Sequence, residues 1–323
     1  MTVSRRAFLG AATLALPLLP TRRAAAQAWP AERPLRLIVP VAAGGSQDVV
    51  ARLYARGISE VIGQTVQVEN LPGGGSNIGY EAAAKAKPDG YTLLAGSDTL
   101  SINAGLYSRL GYDPLGFVPV LRSVKVPQAF VVKADHPART FGDWLEIARK
   151  DGAAVGTPGN GSLAHLLGEV IQQSSETRWT HVPYRGGALA VNDLLGGHLQ
   201  GVLINIGAIT DHVRDGRLRG LFVSGETRSP ALDETPTLAE AGLTGIAATG
   251  WHGLVLPPGS DPAVAARLNE AARRAQRQPE TAQRLASLGV EPQEEEPEAL
   301  RAVILADAER WATVIRRVGA RPD

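Results

Sequence analysis

The sequence predicts an α/β protein of two domains, each built on a mostly parallel sheet flanked by helices. Three observations carry that prediction. At 323 residues the chain exceeds one comfortable core. Apolar runs of strand length alternate with stretches at helical spacing, the pattern of a parallel sheet with helices on both faces. The alternation restarts near Pro127, and the second set has its own glycine-rich loop. Hydrophobic residues at 44% and charged residues at 20% are ordinary for a soluble globular protein.

The first unit is organised around LIVPVAAGGSQDVVAR at 37–52. Leu37 to Val41 reads as a buried strand, and Val50, Leu53, Tyr54, Ile58 and Val61 recur at helical spacing. Between them Gly44 and Gly45 allow a tight turn with no Cβ above it, Ser46 is a natural N-cap, and Asp48 complements the helix dipole. The free N–H groups of such a helix start suit an anion. Gly63 is a candidate C-cap, TVQVEN at 65–70 a second strand, and LPGGGSNIG at 71–79 a second glycine loop. Asn77 reads as the cap of the helix that follows, Tyr80 to Ala86. YTLLAG at 91–96 is a third strand, continued by a loop with Ser97, Asp98 and Thr99. Loops beyond the carboxyl ends of parallel strands line one crevice, which gathers 43–48, 71–77 and 97–103.

In the second unit QAFVVK at 128–133 is a strand, FGDWLEIARK at 141–150 a helix, and AAVGTPG at 153–159 a strand. That strand opens into Gly159, Asn160, Gly161 and Ser162, and the helix Leu163 to Gln173 carries His165 on its first turn. TRWTHVPY at 177–184 is a strand, RGGALAVNDLLGG at 185–197 a loop and helix, and LQGVLINIG at 199–207 and LRGLFVSG at 218–225 are strands. Tyr184, Arg185 and Asn205 fall at strand ends facing the predicted crevice. The turn-rich stretch 229–259 returns the chain to the first unit through the strand Gly253 to Pro257, and three helical stretches close the sequence. The expected domains are therefore 29–127 with 249–323, and 128–248.

Catalytic and metal-binding patterns are missing. No G-x-G-x-x-G, G-x-x-x-x-G-K-[ST] or H-E-x-x-H motif occurs, there is no Cys, and the six His are scattered. The expectation is no metal, no cofactor and no enzymatic activity. The remaining enzymatic alternative is a Ser-dependent hydrolase using Ser162, His165 and an approaching Asp48. Ser162 is not in a G-x-S-x-G elbow, and Ser three residues before His at a helix start more often caps the helix. No basic run points to nucleic acid.

The N-terminus reads as a targeting segment. SRRAFLG at 4–10 places paired arginines before a hydrophobic run, and AAAQA at 24–28 offers small-residue cleavage sites. The run is too short to span a bilayer. A twin-arginine signal over 1–28 is expected, with a product free in the periplasm and no lipid-attachment cysteine. Cleavage after Ala28 removes four arginines and no acid, taking the formal charge from +1 to −3. Anion binding by such a protein rests on local dipoles.

Across the mature chain, PVAAGGSQDVVAR, VENLPGGGSNIG, KPDGYTLLAGSDT, YDPLGFVPV, GTPGNGSLAHLLGE, VPYRGGALAVNDLLGG, TPTLAEAG and GWHGLVLPPGSDP succeed one another. In that order and spacing they resemble the extracytoplasmic solute receptors of the tripartite tricarboxylate transporter family, often called Bug receptors. The resemblance implies a two-lobed periplasmic binding protein of type II. Such a protein closes on a small organic carboxylate and hands it to membrane permease subunits, and a monomer is expected. It further implies that backbone amides and ordered waters of two loops hold the carboxylate. On this sequence they are Ala43, Gly44, Gly45, Ser46 and Asp48, and Gly159, Asn160, Gly161, Ser162 and His165. Three departures stand at the far end of the expected ligand: Arg185 where the family usually has Lys, Ile204-Asn205 where it commonly has Asp and a small polar residue, and Asn103-Ala104 in place of the usual Asn-Pro. The competing role is a periplasmic sensor docking on a signalling protein.

Overall fold

Leu35, Leu37, Ile38 and Val39 are fully buried, and they make β1 (Leu35–Val39) the centre of the first half of the sheet. The computed structural model describes residues 29–246 and 248–322, so the expected signal segment lies outside the described residues. After β1 come α1 (Ser46–Ile62), β2 (Val66–Asn70), α2 (Asn77–Ala84), β3 (Thr92–Ser97) and α3 (Asp98–Leu106). β2, β1 and β3 are parallel, which puts the loops after all three at one edge of the sheet. Val50, Tyr54 and Ile58 form the buried stripe of α1, and αL Gly63 ends that helix as the sequence indicated.

The chain then enters β4 (Val118–Lys133), a 16-residue strand shared by both halves. The second half contains α4 (Phe141–Asp151), β5 (Ala154–Thr157), α5 (Leu163–Ser175), β6 (Thr180–Pro183), α6 (Gly187–Leu195) and β7 (Gly201–Asn205). A 3-10 turn (Ile206–Ala208), α7 (Thr210–Arg214) and β8 (Leu218–Val223) complete it. β9 (Thr249–Leu256), α8 (Pro262–Gln276), α9 (Pro279–Ser287), β10 (Glu291–Pro292) and α10 (Pro297–Val318) return to the first half.

The strand order is β2-β1-β3-β9-β4-β7-β5-β6, with β8 and β10 also on β4. β5, β6 and β7 are parallel, as in the first half, while β9 and β4 bring antiparallel pairs to the centre. The fold class is the expected one, and the sheet is mixed where the chain crosses. Val118 to Pro127 pair with β9, whereas Gln128 to Lys133 pair with β7 and β8. The change of partner follows Pro127, which has no N–H to give a ladder. Trp144 belongs to the core: its ring lies 4.7 Å from Phe130 and 5.7 Å from Phe141.

Four sequence expectations are corrected. Residues 98–103 form most of α3, not a loop. This helix is buried between α5 and α10 and carries no polar face, so no amphipathic period marks it. Gly45, not Ser46, is the N-cap of α1, and Ser76, not Asn77, is that of α2. The strand read as 128–133 begins ten residues earlier, because prolines at 119 and 127 obscure its pattern. Among the described residues no helix is long and apolar enough to cross a membrane.

Candidate functional site

The start of α1 is built by Asp48. Its carboxylate accepts from the Gly44 N–H at 2.9 Å, Arg52 Nε at 2.9 Å and Asn70 Nδ2 at 2.8 Å. Burial alone would raise its pKa, but Arg52, Gly44 and Asn70 together hold it below the usual carboxylate range. Asp48 thus braces the loop with its side chain, while Gly44 takes φ +86° to aim its N–H inward. Gly45 has an ordinary φ of −73°. Ala43 and Gly44 are exposed, and Ser46, Gln47 and Asp48 are buried.

No side chain caps α1. Its first internal bond runs from Val49 N–H to Gly45 O, so the N–H groups of Ser46, Gln47 and Asp48 have no acceptor within the helix. Ser46 Oγ is also buried with no hydrogen-bond partner among the described residues. Buried helix starts normally find acceptors, and free N–H donors at the positive end of a helix dipole suit an anion.

The second loop is organised differently. Ser162 caps α5: its hydroxyl donates to Gly159 O at 2.7 Å and accepts from His165 N–H at 3.2 Å. Gly161, at φ +71°, donates its N–H to His165 Nδ1 at 3.0 Å, which puts the ring proton on Nε2. His165 stacks on His181 with ring centroids 4.0 Å apart, and His181 Nε2 lies 2.6 Å from Thr157 Oγ1. The proton of the Ser162 hydroxyl goes to a carbonyl oxygen, the opposite of what a Ser-His nucleophile requires.

Neighbouring strands bring the other expected residues to the same edge. Thr157 pairs with Pro183, which sets Tyr184 and Arg185 beside the 159–162 loop. The Tyr184 carbonyl oxygen lies 3.4 Å from where a Cβ on Gly159 would stand. Tyr184 donates its hydroxyl to Asp193 at 2.6 Å; burial and that carboxylate push its pKa up to about 12. Arg185 is exposed and has no ion pair among the described residues. Asn205 ends β7, and its Oδ1 is buried without a partner among the described residues.

On the first half, Ser97 ends β3, Asp98 begins α3 and Thr99 follows half-buried. The Ser97 hydroxyl lies 3.2 Å from Tyr80 OH. Asp98 is pushed up to about 7, by burial first and by the Asp307 carboxyl second. Asp307 accepts Trp251 Nε1–H at 3.0 Å, so the two carboxyls sit around one tryptophan of β9.

Three approaches join the two halves. A Cβ built on Gly207 would lie 2.8 Å from Ser46 Oγ, and one on Gly161 would lie 2.1 Å from Leu106 Cδ2. A Cβ on Gly250 would meet both Asp98 Oδ2 and Leu163 Cδ2. The 43–48 and 97–99 sets therefore touch the half that carries the 159–165 set through specific residues. Sequence reasoning missed Asn70, Arg52, His181 and Gly207. The register Val39↔Asn70, which puts Asn70 beside the loop after β1, leaves no local trace in the sequence.

The description "Tripartite tricarboxylate transporter family receptor" matches residues 50–320. The chain is 34% identical to Protein BugT of Bordetella pertussis over 319 residues, 97% of this chain and 96% of the relative. It superposes on MatC from Rhodopseudomonas palustris with bound malate at a TM-score of 0.81 and 28% identity, covering 88% of this chain and 99% of that one. An R. palustris protein solved with adipate gives 0.86 and 30%, covering 91% and 100%. The chain belongs to the tripartite tricarboxylate transporter family of receptors, which are binding proteins and not enzymes.

Proposed function

We propose that this receptor binds a small organic carboxylate between its two halves and delivers it to the membrane permease subunits of a tripartite tricarboxylate transporter. The observation that carries the reading is the buried, uncapped start of α1, whose Ser46 touches the opposite half at Gly207. The lobes of this reading are 29–127 with 249–323, and 128–248. Their boundary falls where β4 exchanges β9 for β7 after Pro127 and where β9 begins at Thr249. The malate- and adipate-bound relatives support the ligand class, and the family supports the permease partner and a periplasmic location.

Ligand contacts in this proposal are the N–H groups of Gly45 and Ser46 and the exposed turn at Ala43 and Gly44, whose Gly44 N–H is itself held by Asp48, with Ser97 to Thr99 beside them. Gly159 to Ser162, His165, Tyr184, Arg185 and Asn205 face them. Asp48 acts by holding the first loop. Micromolar affinity requires roughly 8 kcal/mol, which a few charge-assisted hydrogen bonds of about 1.5 to 3 kcal/mol each supply. The bound anion favours the form in which both walls reach it. A thermal-shift screen of organic acids on the purified protein tests the assignment. A melting temperature that rises with di- or tricarboxylates supports it, and no response to any organic acid at millimolar concentration overturns it.

A further inference from the structure

β9 runs between β3 and β4, and its His252 pairs with Ser97 on one side and Val124 on the other. The residue is 8% exposed. Its two ring nitrogens differ. Nδ1 lies 3.1 Å from Trp251 O, and a carbonyl only accepts, so Nδ1 carries the proton and Nε2 is an acceptor. Nε2 is buried with no partner among the described residues. Burial pushes the ring pKa down to about 4, so the neutral ring persists at neutral pH and Nε2 keeps its lone pair. A buried acceptor of this kind is costly unless a donor reaches it.

His252 lines a cavity of about 10 Å³ between α1 and strands β3, β4 and β9, and shares it with Gln47 and Ser123. That volume is about the least that admits one water, and it is too small for an organic ligand. A buried water typically makes about three hydrogen bonds, and three polar side chains line this space. Gln47 gives its amide N–H to Ala95 O at 2.8 Å, which leaves its Oε1 to accept. The Ser123 hydroxyl both donates and accepts.

We infer that a single structural water occupies this cavity, donates to His252 Nε2 and is held also by Gln47 and Ser123. One of its protons goes to Nε2 and the other to Gln47 Oε1, and its oxygen accepts from the Ser123 hydroxyl. Direct side-chain bonds from α1 already reach β3 through Gln47 and β4 through Tyr54, whose hydroxyl lies 3.1 Å from Ser123 O. The water adds β9. It thereby anchors the first turn of α1, where Gln47 also carries one of the N–H groups with no acceptor in the helix, to the strand that returns the chain to the first half.

High-resolution crystallography of the ligand-free protein tests this, together with heteronuclear NMR of the histidine rings at neutral pH. The expected result is one ordered water within about 3 Å of His252 Nε2, on a ring protonated at Nδ1. His252→Leu removes the acceptor and is expected to lose that water. A wild-type map without density in the cavity, a peak more than about 3.5 Å from Nε2, or a ring protonated at Nε2 overturns the assignment. So does a water that stays in place in the variant, since Gln47 and Ser123 then hold it without the ring. Should the variant fail to fold, the wild-type map and the tautomer decide by themselves. Each of these outcomes leaves the carboxylate reading standing.

Discussion

The hydroxyl oxygen of Ser46, on the first turn of α1, lies 2.8 Å from the place a Cβ on Gly207 would occupy. A glycine at 207 lets the turn after β7 come down on the helix start that carries the free N–H groups. Gly207→Ala is expected to hold these two walls apart, since both the hydroxyl and the added methyl cannot keep their places. Calorimetric affinity for an organic acid should drop about tenfold, while the melting temperature of the ligand-free protein changes little, because the contact joins the halves and builds neither.

Gly161 and Leu106 make a second such approach, with two costs that separate experimentally. Gly161→Ala puts a methyl 2.1 Å from Leu106 Cδ2 and also forces an L-residue to φ +71°. The expected loss in urea unfolding is about 2 kcal/mol or more. Leu106→Ala alone also destabilises, by about 2 to 5 kcal/mol. The double variant should be less damaged than the sum of the two by more than about 1 kcal/mol, because the clash is gone while the backbone strain and the lost Leu106 packing remain. Strict additivity would show that the side chains do not meet.

Asp98 gives the molecule a pH signature. Its folded pKa, raised from 3.8 to about 7, means that the native state keeps a proton the unfolded chain has released. Its contribution to stability is therefore full below 3.8 and is lost as pH rises through about 7. Buried His252, pushed down from 6.5 to about 4, acts with the opposite sign: its contribution is present above 6.5 and lost as pH falls towards about 4. Asp98→Asn preserves the neutral shape and removes only the first effect. Thermal denaturation of the variant should show a larger gain over wild type at pH 8 than at pH 5, and an equal gain at both would contradict it.

Ser162 is expected to behave as a cap. Ser162→Ala should cost about 1 kcal/mol of stability, the usual value for an N-cap serine. Ester substrates should show no turnover with wild type or variant, since the Ser162 proton is held by Gly159 O.

The start of α5 was legible because its chemistry is local: Ser162 reaches His165 three residues on, and Gly161 reaches the same ring. The start of α1 was half legible. Gly-Gly-Ser announces a helix, but the cap falls one residue early because Asp48 reaches back to Gly44 and fixes the turn there. α3 left no signal, since Leu100, Ser101, Ile102 and Asn103 are buried alike and a helix without a wet face has no period to read. The Arg52–Asn70 brace and the Ser46–Gly207 approach depend on strand register and on how the halves meet, and neither is written in neighbouring residues.

The position of the carboxylate decides whether the start of α1 is the binding wall. A crystal structure of the protein grown with an organic acid that shifts its melting temperature tests this most directly. The prediction is a carboxylate oxygen within about 3 Å of a backbone N–H among Gly45, Ser46 and Gln47, with the 159–162 loop on its other side. A ligand bound elsewhere, or one that leaves the α1 start facing only protein, would contradict the account.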